Sequence, residues 1–419
     1  MQITSWGATD VGRARKVNED AYLLAPDLGL VAVADGMGGF QRGDVASQLA
    51  CNVVREHLIA HRATLDSYRS NPTDGARTAV QELLVDALQR SCDQVYRAAV
   101  AITGEGGRMG TTFDAVLVLG TTAFLAHVGD GRVYLQRGQE VHQITEDHSL
   151  VQERLRDGTL SAEEARKVRY KNVITRALGV FPSVRVDTLQ FELDVGDRLL
   201  LCSDGLHRYL GLRELGAVMA GALEDDTVTG MVDLANDRGG RDNITAVLCL
   251  AQPEDANERV PPTAERMANL RKVDLFQYCT YRELMAVCEI AQQQQVPANS
   301  VLFTEGDTGR ACYVVVSGAV RVEKAGASLA VLRPGDYFGE MSLLDDPRRS
   351  ADAVVIEDAT LLVLARDRFL QLLKQDSELA AKLMWQLLQK LSRIVRLTND
   401  RLVAETLSLD SIELELPDD

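Results

Sequence analysis

The sequence predicts an α+β protein built in two parts, and three observations lead there. In residues 1–251, short apolar runs follow one another directly and helical patterns are grouped between them. That order argues α+β over a regular βαβ alternation. In residues 267–405, six short strand-like runs recur between turns, the pattern of a small, jelly-roll-like β-roll with flanking helices. Residues 252–266 are polar and proline-bearing, which is linker composition, and residues 406–419 form an acidic tail.

The first part reads as follows. Leu30–Ala34 is an apolar run that predicts a buried strand, closed by Asp35 and a turn with Gly36, Gly38 and Gly39. A carboxylate at the end of a rigid strand is well held, as hard divalent cations require. Residues 2–8 and 21–25 suit strands, and the charged segment between them carries Arg13, Arg15, Lys16, Glu19 and Asp20. Helices are predicted over 43–61, where Val45, Leu49, Val53 and Leu58 recur, and over 76–101. Strands at 111–119, 122–128 and 132–136 follow, with Asp130 in a Gly-Asp-Gly turn suited to a hairpin. Residues 145–180 are polar and predict a helical, mobile flap. Strands at 186–192, 197–203 and 244–250 enclose helices at 212–221 and 226–237; Asp204 and Asp242 stand beside strand ends.

Composition excludes several classes. A formal net charge of −16 disfavours nonspecific binding to nucleic acid or an anionic membrane. The seven cysteines are scattered and form no Cys-x-x-Cys pair, which argues against a disulfide framework or structural zinc and for a reducing cytoplasm. No N-terminal signal pattern and no apolar run of spanning length appears. His57 and His61 lack an evident third ligand and predict an ordinary exposed pair. The carboxylates that recur at strand ends and tight turns, Asp20, Asp35, Asp130, Asp204 and Asp242, suit magnesium or manganese. Two such ions ~3.5–4 Å apart can activate a water and clamp a phosphoryl oxygen.

Arg15-x-x-x-Glu19-Asp20, Asp35-Gly-Met-Gly-Gly39, Gly110-Thr-Thr112, His127-Val-Gly-Asp-Gly-Arg132, Ser203-Asp-Gly205 and Arg241-Asp-Asn243 sharpen this. In order and spacing over residues 2–250 they resemble the motifs of the type 2C metal-dependent protein phosphatases. The resemblance implies a four-layer α-β-β-α sandwich that hydrolyses phosphoserine and phosphothreonine in proteins by attack of metal-bound water. It implies that Asp35 bridges two Mn2+ or Mg2+ ions, that the Gly36 carbonyl ligates one, and that Asp204 and Asp242 complete the site. Glu19 and Asp20 would hold metal-bound waters, Arg15 the substrate phosphate, and Asp130 with Asp204 a third ion, as in bacterial members. Two departures stand out: Met37 replaces the histidine of animal relatives, leaving the leaving-group acid unassigned, and Gly131 replaces a usual serine.

A rival chemistry sits in Cys202-Ser-Asp-Gly-Leu-His-Arg208, the Cys-x5-Arg spacing of cysteine-dependent phosphatases. Cys202 follows Leu199-Leu-Leu201, however, and reads as part of a buried strand, where a thiol is inert. A second rival is a catalytically silent phosphatase fold acting as a nucleotide-gated interaction module; the intact acidic set argues against it.

In the second part, residues 267–294 read as helical, with strands at 300–303, 312–316, 319–323, 328–332, 353–357 and 360–364. Phe338–Ala351 breaks the pattern: helix-start amides beside an arginine make an anion pocket. With the Glu305-Gly306 and Ser317-Gly318 turns, this stretch resembles the phosphate cassette of cyclic nucleotide-binding domains. The resemblance implies that Glu340 binds the ribose hydroxyl of cyclic AMP or cyclic GMP. Arg349 and Ser350 would bind the cyclic phosphate with amides near Gly339 and Met341, and Arg348 is the alternative arginine. Residues 377–404 carry a leucine stripe that suits a capping helix or a homodimer seam. No helix-turn-helix follows, which speaks against transcriptional control.

Overall fold

The computed structural model describes residues 1–38, 42–103, 109–165, 167–168, 170, 173–253, 263–344 and 348–413. The chain divides into two compact units, Met1–Ala264 and Glu265–Asp419.

Two antiparallel sheets build the first unit. One runs β1 (Gln2–Asp10), β11 (Ile244–Gln252), β10 (Arg198–Cys202), β7 (Arg132–Arg137) and β8 (Glu140–Gln143) in spatial order. The other runs β2 (Asp20–Ala25), β3 (Leu30–Gly38), β5 (Phe113–Leu119), β6 (Thr122–Val128) and β9 (Asp187–Glu192), with β4 (Met109–Thr111) paired to the far end of β3. Alternation along the strands divides the core. Leu30, Ala32, Ala34, Phe113, Ala115 and Leu117 bury against the helices Gly43–Ala60, Arg62–Ser70 and Asp74–Thr103. Leu200, Cys202, Ala246 and Leu248 bury against Leu215, Met219, Val228 and Met231 of the helices Leu212–Met219 and Asp225–Asp237. The remaining strand residues, such as Val31, Val33, Val116, Leu199, Leu201 and Val247, are also buried, on the opposite faces. Strands buried on both faces explain why β5 and β6 read as continuous apolar runs.

Three expectations need correction here. The Gly129-Asp130-Gly131 segment is no hairpin: β6 and β7 belong to different sheets, so the chain crosses between sheets at Asp130. The run 111–119 is two strands, because Thr112 leaves the ladder to serve Asp35. The flap is mostly irregular, with short helices at Leu150–Arg156 and Ala162–Ala165 among its described residues.

The second unit holds a six-stranded sheet: β12 (Ala291–Val296), β17 (Asp352–Ala365), β14 (Ala311–Lys324) and β15 (Ala327–Leu332) in order. β13 (Val301–Phe303) pairs with β17, and β16 (Tyr337–Phe338) with β14. The four pieces 312–316, 319–323, 353–357 and 360–364 are in fact two long strands, β14 and β17, whose bulges around Ser317 and Ala319 mimic breaks. The helical stretch expected over 267–294 is broken into a helix Thr263–Arg271, a 3-10 turn Asp274–Phe276 and a helix Tyr281–Ile290, and Gln292–Gln295 lies in β12, held by pairing with residues 360–363 of β17. Glutamine has no strand preference, so neighbouring backbone decides that segment. The helix Ser377–Glu413 closes the unit, burying Leu379, Leu383 and Leu387.

Candidate active site

Register brings the first two acids together: in the β2–β3 hairpin, Asp20 stands directly opposite Asp35. Three threonine contacts fix the Asp35 backbone. Its N–H donates to Thr112 Oγ1 at 2.9 Å, and its carbonyl accepts from Thr112 N at 2.9 Å and Thr111 Oγ1 at 3.0 Å. This is the structural work of the Gly110-Thr-Thr112 motif. Gly36 is obligatory, because a Cβ there would collide with the Gly43 and Glu19 carbonyls. Glu19 accepts from Gly43 N at 2.9 Å through Oε1, and its carbonyl accepts from Ser47 Oγ at 2.6 Å.

Asn243 draws the opposite sheet in. Its Nδ2 donates to the Val11 and Val17 carbonyls at 3.0 and 2.9 Å, and its Oδ1 accepts from Glu19 N at 2.9 Å. It thereby ties the Arg13–Asp20 segment to the end of β11. Ser203 is buried; its Oγ donates to Asp20 Oδ2 at 2.8 Å and accepts from Thr245 N at 3.0 Å. Arg15 grips Asp242 with two bonds of 2.9 Å, and Arg208 pairs with Asp204 Oδ2.

The electrostatics show which acids share a space. The Asp35 carboxyl is held well above the ordinary carboxylate range by burial first, then by Asp20, Asp204, Asp130 and Asp242. Burial, with added repulsion from Asp204, pushes Asp20 and Asp130 up to about 7. Asp20 Oδ1, Asp130 Oδ1 and Asp204 Oδ1 are buried without a hydrogen-bond partner. Unpaired buried carboxylate oxygens are costly, and an all-oxygen set facing inward is what a hard divalent cation satisfies. The residues therefore fit such ions. Among the described residues no three histidine, cysteine or acidic side chains already form a closed cage. Asp204 and Asp242 pair with Arg208 and Arg15.

Beside this cluster lies a pair that the sequence did not announce. Asp114 and His127, cross-strand partners in β5 and β6, are fully buried and 2.6 Å apart. A Cβ at Gly131 would collide with Asp114 Oδ2, which explains why serine is absent there. Cys202 is fully buried at the end of β10, and burial raises its thiol far above the ordinary range. That is an inert thiol. His57 is buried, correcting the exposed-pair expectation, and it pairs with Asp86 at 2.9 Å.

In the second unit, Arg349 is buried. It donates to Ser342 Oγ at 3.0 Å, Ala311 O at 2.9 Å and, weakly, Gly339 O at 3.4 Å, and lies 4.0 Å over the Phe303 ring. Gly339, with φ of 76°, lets the chain wrap that guanidinium. Buried Glu340 is paired with Lys390 of the final helix at 2.7 Å. Met341 and Ser350 are exposed, as is Arg348, which lies in an isolated bridge with Thr308.

Comparison with known proteins fits this architecture. Residues 12–249 match the protein phosphatase 2C family model, and residues 293–376 match that of the cyclic nucleotide-binding domain. Protein phosphatase PhpP of Streptococcus pneumoniae is 34% identical over 268 residues, covering 59% of this chain and 97% of the relative. Serine/threonine phosphatase stp of Listeria monocytogenes serotype 4b is 36% identical over 247 residues, covering 57% and 92%. The Mycobacterium tuberculosis serine/threonine phosphatase PstP/Ppp superposes with a TM-score of 0.52 at 32% identity, covering 60% of this chain and all of that one. A structure of the PstP catalytic domain in complex with two manganese ions superposes with a TM-score of 0.50 at 32% identity, covering 60% and 99%. The fold and site define a metal-dependent protein phosphatase carrying a cyclic nucleotide-binding domain. The match spans more than half of the 419 residues, and the chain belongs to the protein phosphatase 2C family.

Proposed function

We propose that this protein hydrolyses phosphoserine and phosphothreonine in phosphoproteins and that cyclic AMP or cyclic GMP regulates it through the second unit. The observation that carries the first half is the pair of buried, unpartnered oxygens of Asp20 and Asp204 beside Asp35. Manganese in the PstP catalytic domain supports the same assignment here. Asp35, the Gly36 carbonyl, Asp204 and Asp242 would hold two ions, with Glu19 and Asp20 behind them. Divalent ions, when bound, supply the charge that activates water and neutralises a phosphoryl group.

The chain's own residues do the rest. Arg15 binds phosphate oxygens with the fork that now clamps Asp242, a geometry that suits either anion. Thr111 and Thr112 hold Asp35 in line, and Ser203 holds Asp20. No nucleophilic side chain is needed, so no phosphoenzyme forms.

Asp35→Asn and Asp204→Asn should each abolish manganese-dependent aryl phosphate hydrolysis while leaving the fold intact. Turnover retained in both variants refutes the assignment. An aryl phosphate assay with and without manganese also separates the enzyme from a silent fold.

For the second unit, a nucleotide would exchange the carbonyl partners of Arg349 for cyclic phosphate and the Lys390 partner of Glu340 for ribose hydroxyls. Gly339, Met341 and Ser350 border that cassette. Calorimetry with both nucleotides tests this; absence of binding to the wild type removes it. We further propose a homodimer through the exposed Trp385, Leu388 and Val395 of the final helix, to be checked by light scattering. No helix among the described residues is long and apolar enough to cross a membrane.

A further inference from the structure

Arg208 is the half of the Cys-x5-Arg spacing that the proposed mechanism leaves unused. Cys202 is buried and inert, so the arginine has no thiolate to serve. Its position comes instead from a short helix, Asp204–His207, whose cap it forms. One turn separates Asp204 from Arg208, and their side chains pair on one face.

The pairing is specific to one oxygen. Arg208 takes Asp204 Oδ2, while Oδ1 of the same carboxylate is buried and unpartnered. The guanidinium also acts on Asp130, whose Oδ1 is likewise buried without a partner. Asp204 is thus paired with a fixed cation, and Asp130, in the crossing between the two sheets, lies within reach of the same charge. These are the two acids that a third divalent ion would need.

Charge counting points the same way. The cluster holds Glu19, Asp20, Asp35, Asp130, Asp204 and Asp242. Arg15, Arg208 and two divalent ions neutralise these six carboxylates when all are ionised. A third ion beside Arg208 would leave an excess of positive charge in a confined space, which is unfavourable at low effective dielectric.

We propose that the Arg208 guanidinium is the resident cation of the Asp130–Asp204 pair, standing where a third metal ion would bind, so that this phosphatase holds two divalent ions. The proposal rests on the two-ion centre described above. Arg208 acts through the Asp204 carboxylate that it holds, and is a positioning residue rather than a catalytic one. A guanidinium is permanently charged and cannot be chelated away, so the occupancy of this corner is independent of metal concentration.

The test is the number of tightly bound manganese ions per full-length chain, measured by equilibrium dialysis and by paramagnetic resonance of free manganese. The wild type should bind two. Arg208→Gln keeps similar bulk, removes the charge and should bind three; Asp130→Asn in that background should return the number to two. Arg208→Lys, which keeps a cation, should bind two. Three ions in the wild type, or two in folded Arg208→Gln, overturns the proposal. Should Arg208→Gln fail to fold, Asp130→Asn alone decides: two ions supports the proposal, and a fall from the wild-type number overturns it. A wild type that binds no manganese sinks the two-ion centre as well, which distinguishes the two failures.

Discussion

Restoring the usual serine at position 131 should damage this protein rather than improve it. A Cβ on Gly131 would drive into Asp114 Oδ2 and lie 3.1 Å from Asp114 Cγ. Asp114 cannot step aside. It is fully buried, its backbone is locked into the β5–β6 ladder, and His127 Nδ1 holds its other oxygen at 2.6 Å. Overpacking a rigid site costs about 1–3 kcal/mol. Breaking a buried ionic pair costs about 3–5 kcal/mol, of which a partial displacement forfeits a share. The sum is about 3 kcal/mol or more, and for a domain of this size it lowers the melting midpoint by roughly 6–12 °C. The chain has two tryptophans, Trp6 and Trp385, so in a Trp385→Phe background Trp6 alone reports unfolding of the first unit. Gly131→Ser and Gly131→Ala, which share the Cβ, should fall together. Gly75→Ser is the control, since nothing lies within 4 Å of that position. A Gly131→Ser midpoint equal to wild type would show that Asp114 is not pinned, and the steric account fails.

Other consequences follow from the same geometry. Ser203→Ala strips a donor from buried Asp20 and orphans Thr245 N–H, so it should cost about 2–4 kcal/mol and raise the manganese needed for half-maximal activity; unchanged stability refutes the contact. Cys202→Ser should keep activity, and its loss with normal folding and metal binding would restore the thiolate chemistry. Burial lowers His148 to about 4, against the opposing effect of its Asp187 partner. Its contribution to stability is therefore complete above ~6.5 and is lost as pH falls toward 4. Between pH 7 and pH 5 the loss should be about 2 kcal/mol greater in wild type than in His148→Asn, measured by denaturant unfolding; equal losses contradict it. Lys390→Ala removes the partner that now competes for Glu340, so cyclic nucleotide should bind about tenfold tighter; weaker binding shows that Lys390 belongs to the bound state.

Much of the first unit was legible because its logic is local. The run Leu30–Ala34 ending in Asp35 is a strand because alternate faces are both buried, and glycines follow because Gly36 faces two carbonyls. The ion-site candidates Asp20, Asp35, Asp130 and Asp204 announced themselves beside turns or strand ends. What held them stayed hidden. Asn243 clamps a loop 226 residues away at Val17, and no periodicity encodes that. Asp114 and His127 meet only through strand register. The glutamine run became a strand because β17 offered a free edge, and bulges cut β14 and β17 into apparent fragments. Lys390 sits fifty residues beyond Glu340 on a helix whose docking no local pattern fixes.

The most direct measurement of the central claim is manganese anomalous diffraction from crystals of the full chain grown with that metal. Two peaks ~3.5–4 Å apart, touched by Asp35, Asp204 and Asp242, are the result the geometry predicts. Strong phosphatase activity in the same crystals with no peak near those carboxylates would contradict it.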